Sequence, residues 1–120
     1  MKPNERDHIL YLEDIVLSMQ RVEEYIAGLD FQHFKKDYKT VDAVIRNFEV
    51  IGEASKNLSE TIKSKYPQVP WKEMYRLRNR ISHEYFGIDY EIIWNIVTKH
   101  LPGNFKDISE ILEIERLDNK

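Results

Sequence analysis

The densest group of residues able to do chemistry is one short run, Arg78-Asn79-Arg80-Ile81-Ser82-His83-Glu84-Tyr85-Phe86. A guanidinium can hold phosphate through two parallel hydrogen bonds, and a neutral imidazole with a pKa near ~6.5 can give or take a proton at neutral pH. Together they suit attack of a hydroxyl on a neighbouring phosphodiester. That reaction needs a base, an acid and stabilisation of a crowded anionic phosphorus. RNA carries the necessary 2'-hydroxyl and DNA does not. Nothing in the run calls for a metal or an organic cofactor. The four histidines, His8, His33, His83 and His100, are too widely spaced for a local ligand motif, no carboxylate pair stands out, and there is no cysteine.

Geometry restricts how these groups can meet. Residues five apart on a regular helix lie about 140° apart around the axis and about 7.5 Å along it, so Arg78 and His83 do not share a face. They converge if the long arginine curls back, if the helix is irregular near Ser82, or if a second subunit completes the site. A symmetric dimer supplies two histidines, one as base and one as acid. The same residues also admit a plainer use, with Arg76, Arg78 and Arg80 as solvated charge and Tyr85 and Phe86 as core aromatics.

The elements that must position this run read as helices. Asn4 can cap a first helix in which Ile9, Leu12, Val16, Met19, Val22 and Ile26 recur at helical steps, and Gly28 supplies its stop. Asp30 offers a cap for a short turn through Phe31 and Phe34. A second run from Val41 to Ile62 keeps helical spacing until Tyr66-Pro67, with Gly52 marking a bend or a close helix contact. Pro70 can open a helix bearing Trp71, Met74, Leu77, Arg78 and Ile81, which Gly87 breaks. Asp89 caps another, Pro102-Gly103 is expected to close it, and Asn104 to cap a last helix through Phe105, Ile108, Ile111 and Leu112. No strand-like alternation appears. The pattern predicts an all-α fold, an antiparallel bundle of four to five helices in one domain over residues 1–120, with a polar tail from about Arg116 to Lys120.

Bulk composition narrows the function classes. A chain of 120 residues with 42% hydrophobic and 32% charged residues is long enough to close a core without disulfides or metals. Absence of cysteine fits a reducing compartment, and neither a leader nor a membrane span is evident, so the expected location is the cytoplasm. The net charge of −3 argues against a protein that coats nucleic acid through a broadly basic surface. Charge is uneven, however: Lys72, Arg76, Arg78 and Arg80 face only Glu73 between Trp71 and His83, leaving a basic patch on an acidic chain.

Arg78-Asn79, His83 and Tyr85-Phe86 resemble the R-N-x-x-x-H-x-Y signature of HepT-like toxins, a branch of the HEPN superfamily. Three more features match in the same order: the run from Asn47 to Ala54 containing Gly52-Glu53, then Tyr66-Pro67-Gln68-Val69-Pro70-Trp71, then Trp94 with Leu101-Pro102. The resemblance covers nearly all of residues 5–114. It implies a HEPN-like helical bundle that forms a homodimer, with the two motifs meeting in a cleft where RNA is cut without metal. In that scheme Arg78 binds and stabilises phosphate, Asn79 orients it and His83 transfers the proton. Arg80 and Arg76 are electrostatic helpers for RNA, and Glu53 and Trp71 order the bundle. It also implies a partner, a minimal nucleotidyltransferase antitoxin, which can silence the toxin by transferring AMP to Tyr85. Two other readings remain at this stage. One is a non-catalytic subunit that holds a nucleotide or small substrate for a nucleotidyltransferase, and the other is a dimerisation bundle with no site.

Overall fold

The computed structural model describes the backbone of residues 5–83 and 89–118, and within these the side chains of residues 7–77 and 89–118. In chain order the helices are α1 (Glu5–Ile26), α2 (Phe31–Lys36), α3 (Tyr38–Asn57), α4 (Glu60–Lys65), α5 (Trp71–His83), α6 (Tyr90–Asn95) and α7 (Leu101–Asp118). A π-helical turn, Ile96–His100, joins the last two. The fold is all-α, with no strand among the described residues, and no described helix is long and apolar enough to cross a membrane. Three of the helices, α2, α4 and α6, are pieces of six residues, which is why the segments outnumber the four or five expected.

Local chemistry accounts for most boundaries. Gly28 ends α1 with φ of 78°, a left-handed conformation that glycine adopts without steric cost. The Asp30 carboxylate accepts the His33 N–H to start α2, and Asp37 accepts the Thr40 N–H to start α3. The Asp89 carboxylate accepts the N–H groups of Glu91 and Ile92 at the start of α6. The cap expected at Asn4 and the break expected at Gly87 lie outside the described residues.

Two boundaries differ from the sequence reading. The periodic run from Val41 to Ile62 is not one helix: it breaks at Leu58, and the Ser59 hydroxyl accepts the Ile62 N–H to start α4. Leu58 and Ile62 are both buried, so the apolar spacing continues across the break and conceals it. Conversely, Pro102-Gly103 closes nothing, and Asn104 caps nothing, because both lie inside α7. A proline ring ordinarily clashes with the carbonyl four residues back, here that of Thr98. The π-turn widens the backbone at this point, with the Leu101 N–H bonding the Ile96 carbonyl five residues back, and the helical path continues through Pro102.

In the bundle α3 packs against α1 and also against α5, while α7 packs on α1. Tyr11 shares a groove with Asn57, and Tyr25 one with Ala43, so α1 and α3 run antiparallel. One apolar cluster takes Leu12, Ile15, Met19 and Val22 from α1, Val44, Phe48 and Ile51 from α3, and Ile108, Ile111 and Leu112 from α7. The short α2 is tied to α6 through Phe34, whose ring lies 5.1 Å from that of Trp94.

Gly103 sits in helical backbone, and a Cβ added there would meet nothing within 4 Å. Gly103→Ala should therefore stabilise the chain by about 0.5–1 kcal/mol through reduced unfolded-state entropy. Urea denaturation would check this, and a loss of stability would contradict the continuous helix through Pro102.

Candidate active site

The motif residues Arg78, Asn79, Arg80 and His83 all lie on α5, which is helical from Trp71 through His83. An irregularity near Ser82 is thus not the means by which Arg78 and His83 meet. Around the axis, Arg78 falls within roughly 40° of Trp71 and Met74, which are buried. Asn79 and His83 fall on a different stripe, within roughly 60° of arc that also includes Lys72 and Arg76. Lys72 and Arg76 are exposed, and neither forms an ion pair with another described residue. The helix therefore places Arg78 in the register of Trp71 and Met74, and Asn79 and His83 in the register of Lys72 and Arg76. Tyr85 and Phe86 lie outside the described residues.

The start of α5 is fixed more firmly than its sequence suggests. The buried Trp71 indole donates from Nε1 to the Tyr66 carbonyl at 3.0 Å, its backbone N–H reaches the Val69 carbonyl, and the Pro70 carbonyl accepts from Met74. Tyr66 in turn donates its hydroxyl to Glu115 of α7, which also accepts from Lys65 Nζ at 2.8 Å. His8 Nε2 lies 3.2 Å from the other Glu115 oxygen, without hydrogen-bond alignment. Glu115 is only 4% exposed. Burial pushes its pKa up, but the bonds from Lys65 and Tyr66 outweigh that and hold the carboxyl below its ordinary range. Lys65 is held correspondingly above its usual value by Glu115, and burial with the Glu115 bond raises Tyr66. A chain of contacts thus runs from α7 through Glu115 and Tyr66 to Trp71. Sequence reasoning found Trp71 but missed Glu115, because nothing local links positions 49 apart.

Among the described residues no group of three or more histidine, cysteine, aspartate or glutamate side chains could hold a metal ion. Glu53 lines a groove of about 320 Å³ between α1 and α3 with Tyr11, Asp14, Arg46 and Glu49, away from the apolar face of its own helix.

Residues 15–113 match the family described as Ribonuclease HepT-like. The chain is 50% identical over 108 residues to a protein of Methanocaldococcus jannaschii provisionally named an RNase, an alignment covering 90% of this chain and 89% of the relative. It is 43% identical over 98 residues, covering 82% and 89%, to a Thermococcus cleftensis protein provisionally named ribonuclease HepT. A Caldanaerobacter subterraneus protein, also provisionally named an RNase, is 41% identical over 106 residues, covering 88% and 95%. No solved structure gives a significant match. The chain belongs to the HepT-like ribonuclease family.

The depressed Glu115 carboxyl sets a direction for pH dependence. Its folded value lies below its unfolded one, so its contribution is present above the ordinary carboxylate range and is lost as pH falls through the folded value. Glu115→Gln should cost roughly 1–3 kcal/mol at neutral pH by leaving buried partners poorly satisfied, and should flatten the acid arm of the stability profile. Thermal melts of both chains from neutral to acid pH would check this. Parallel acid arms would contradict the network.

Proposed function

We propose that this chain is a metal-independent endoribonuclease toxin, acting as a homodimer of single helical domains, whose motif helices α5 meet in a cleft. The observation that carries the reading is an intact Arg78-Asn79-x-x-x-His83 on one continuous helix of a chain matched to a ribonuclease family over residues 15–113. Because the helix keeps Arg78 and His83 on different faces, a two-fold partner is the direct way to bring both chemistries to one phosphate.

In the reaction, His83 of one subunit takes the proton of the RNA 2'-hydroxyl, and the 2'-oxygen forms a bond to phosphorus. The bond from phosphorus to the 5'-oxygen breaks as His83 of the partner subunit returns a proton to that leaving oxygen. The products are a 2',3'-cyclic phosphate and a 5'-hydroxyl end. Arg78 stabilises the added negative charge on phosphorus, and Asn79 orients a non-bridging oxygen by hydrogen bonding. Arg76, Arg80 and the exposed Lys72 attract the neighbouring backbone phosphates.

The proposed antitoxin is a minimal nucleotidyltransferase that moves AMP from ATP to the Tyr85 hydroxyl, with pyrophosphate leaving. The phosphate and nucleoside then stand two residues from His83, adding negative charge and bulk where RNA must enter. The non-catalytic reading, in which Arg78 and His83 hold a nucleotide or small substrate for such an enzyme, differs in making no strand break.

Purified chain should cleave RNA in excess EDTA, and a 2'-deoxy nucleotide at the cut position should abolish cleavage. His83→Ala should reduce the rate about 10² to 10⁴-fold with the fold retained, and should relieve growth inhibition on expression. A requirement for added Mg²⁺, or cleavage of DNA, would overturn this mechanism, and the absence of any strand break would favour the binding subunit. Intact mass after co-expression with a nucleotidyltransferase should show added AMP that is absent in Tyr85→Phe, and an unchanged adduct in that variant would rule Tyr85 out as acceptor.

A further inference from the structure

The face of α1 turned away from the core is not ordinary helix surface. Leu10, Asp14, Leu17, Arg21 and Tyr25 follow one another at steps of four, three, four and four, so all five fall within roughly 80° of arc along about 22 Å of helix. All five are exposed, with Leu10 at 50%, Leu17 at 45% and Tyr25 at 39%. Four of them lie in the two grooves between α1 and α3, which share Asp14, Arg46 and Val50 and have volumes of about 320 and 370 Å³. Three large apolar side chains on one seam of a helix, beside a continuous groove, form an unpartnered surface.

The order of residues on the seam identifies what covers it. In an antiparallel crossing about a two-fold axis beside Leu17, Leu10 stands opposite Tyr25 of the partner subunit, and Asp14 stands opposite Arg21 of the partner subunit. Symmetry repeats both pairs, and Leu17 meets its own copy near the axis. The seam is complementary to itself in both charge and apolarity. Neither Asp14 nor Arg21 forms an ion pair with another described residue, so both are available for this pairing. A nucleic-acid strand is a poor occupant, because Asp14, Glu49 and Glu53 line the same grooves as Arg21 and Arg46.

We infer that the Leu10, Asp14, Leu17, Arg21, Tyr25 seam of α1, flanked by the α3 wall bearing Arg46 and Val50, is the isologous surface on which two copies of this chain pair. The inference rests on the dimer reading above and assigns it a surface and a register. Charge reversal and its rescue test that register. Asp14→Arg places arginine opposite arginine twice per dimer, Arg21→Asp places aspartate opposite aspartate twice, and each should raise the dimer Kd at least about tenfold. Mixing the two variants in equal amounts should restore a heterodimer, since every opposed pair is again of unlike charge. Sedimentation reads the association, and circular dichroism checks that each variant is folded.

A covalent readout stands beside it. The natural chain has no cysteine, so Leu17→Cys introduces the sole thiol. Mild oxidation should cross-link Leu17→Cys to its own copy but leave Tyr38→Cys, at a site 69% exposed at the start of α3, largely monomeric on a denaturing gel. A wild-type dimer whose Kd is unmoved by both charge variants, or that fails to recover on mixing and does not cross-link through Leu17→Cys, would overturn this surface while leaving dimerisation intact. A wild-type monomer at micromolar concentration would overturn both.

Discussion

An α-helix advances about 100° per residue, and everything proposed for this site follows from applying that constraint to Arg78 and His83. With α5 helical through His83, the two registers stay about 140° apart. One is the helical register of the buried Trp71 and Met74, the other that of the exposed Lys72 and Arg76. On a regular helix the two groups therefore start from different faces, and one subunit could bring both to one phosphate only by the long arginine curling back. Two such helices related by a two-fold axis can do so without that, and they add a second histidine, which a transesterification requires as acid to complement the base. The geometry that weakens a one-subunit site thus supports a shared one.

A shared site makes demands on the rest of the fold. If catalysis depends on the relative placement of two helices, each must be held firmly in its own subunit. Trp71 provides this at the start of α5, through a hydrogen bond to the Tyr66 carbonyl and burial against the core. Tyr66 is itself tied to α7 by Glu115, whose charge is kept in a nearly dry position by Lys65. Lys65 is half-exposed, so its contribution is partly screened, and the buried hydroxyl bond from Tyr66 gives the link its direction. In the inferred dimer the helices without Arg78, Asn79 or His83, α1 and α3, would supply the seam and grooves on which the subunits pair.

Much of this was legible in the sequence, where the signals were local. Gly28, Asp30 and Asp89 act through neighbours within three residues, and each does what its type suggests. The chemical character of Arg78, Asn79 and His83 was equally readable, since it depends on residue type and on one helix. The readings failed where tertiary context overrode a local rule. Leu58 and Ile62 keep apolar periodicity across a true break, so burial disguised the Ser59 cap. Pro102-Gly103 has the composition of a stop, yet a π-turn reshapes the preceding carbonyls and the helix passes through. Glu115 was invisible because its partners come from α1 and from the end of α4. The seam of α1 escaped notice for a related reason: attention to the buried stripe of Leu12, Met19 and Val22 hides a second apolar stripe on the opposite face.

The central claim is that one cut uses histidines from two subunits, and subunit mixing tests it most directly. Wild-type chain is refolded together with increasing amounts of His83→Ala chain at constant total protein, and RNA cleavage is followed in EDTA. If both histidines are needed, activity falls as the square of the wild-type fraction, to about a quarter of the undiluted rate in an equal mixture. A fall to about half, in simple proportion to the wild-type chain present, would mean that each subunit cuts alone and would contradict the shared site.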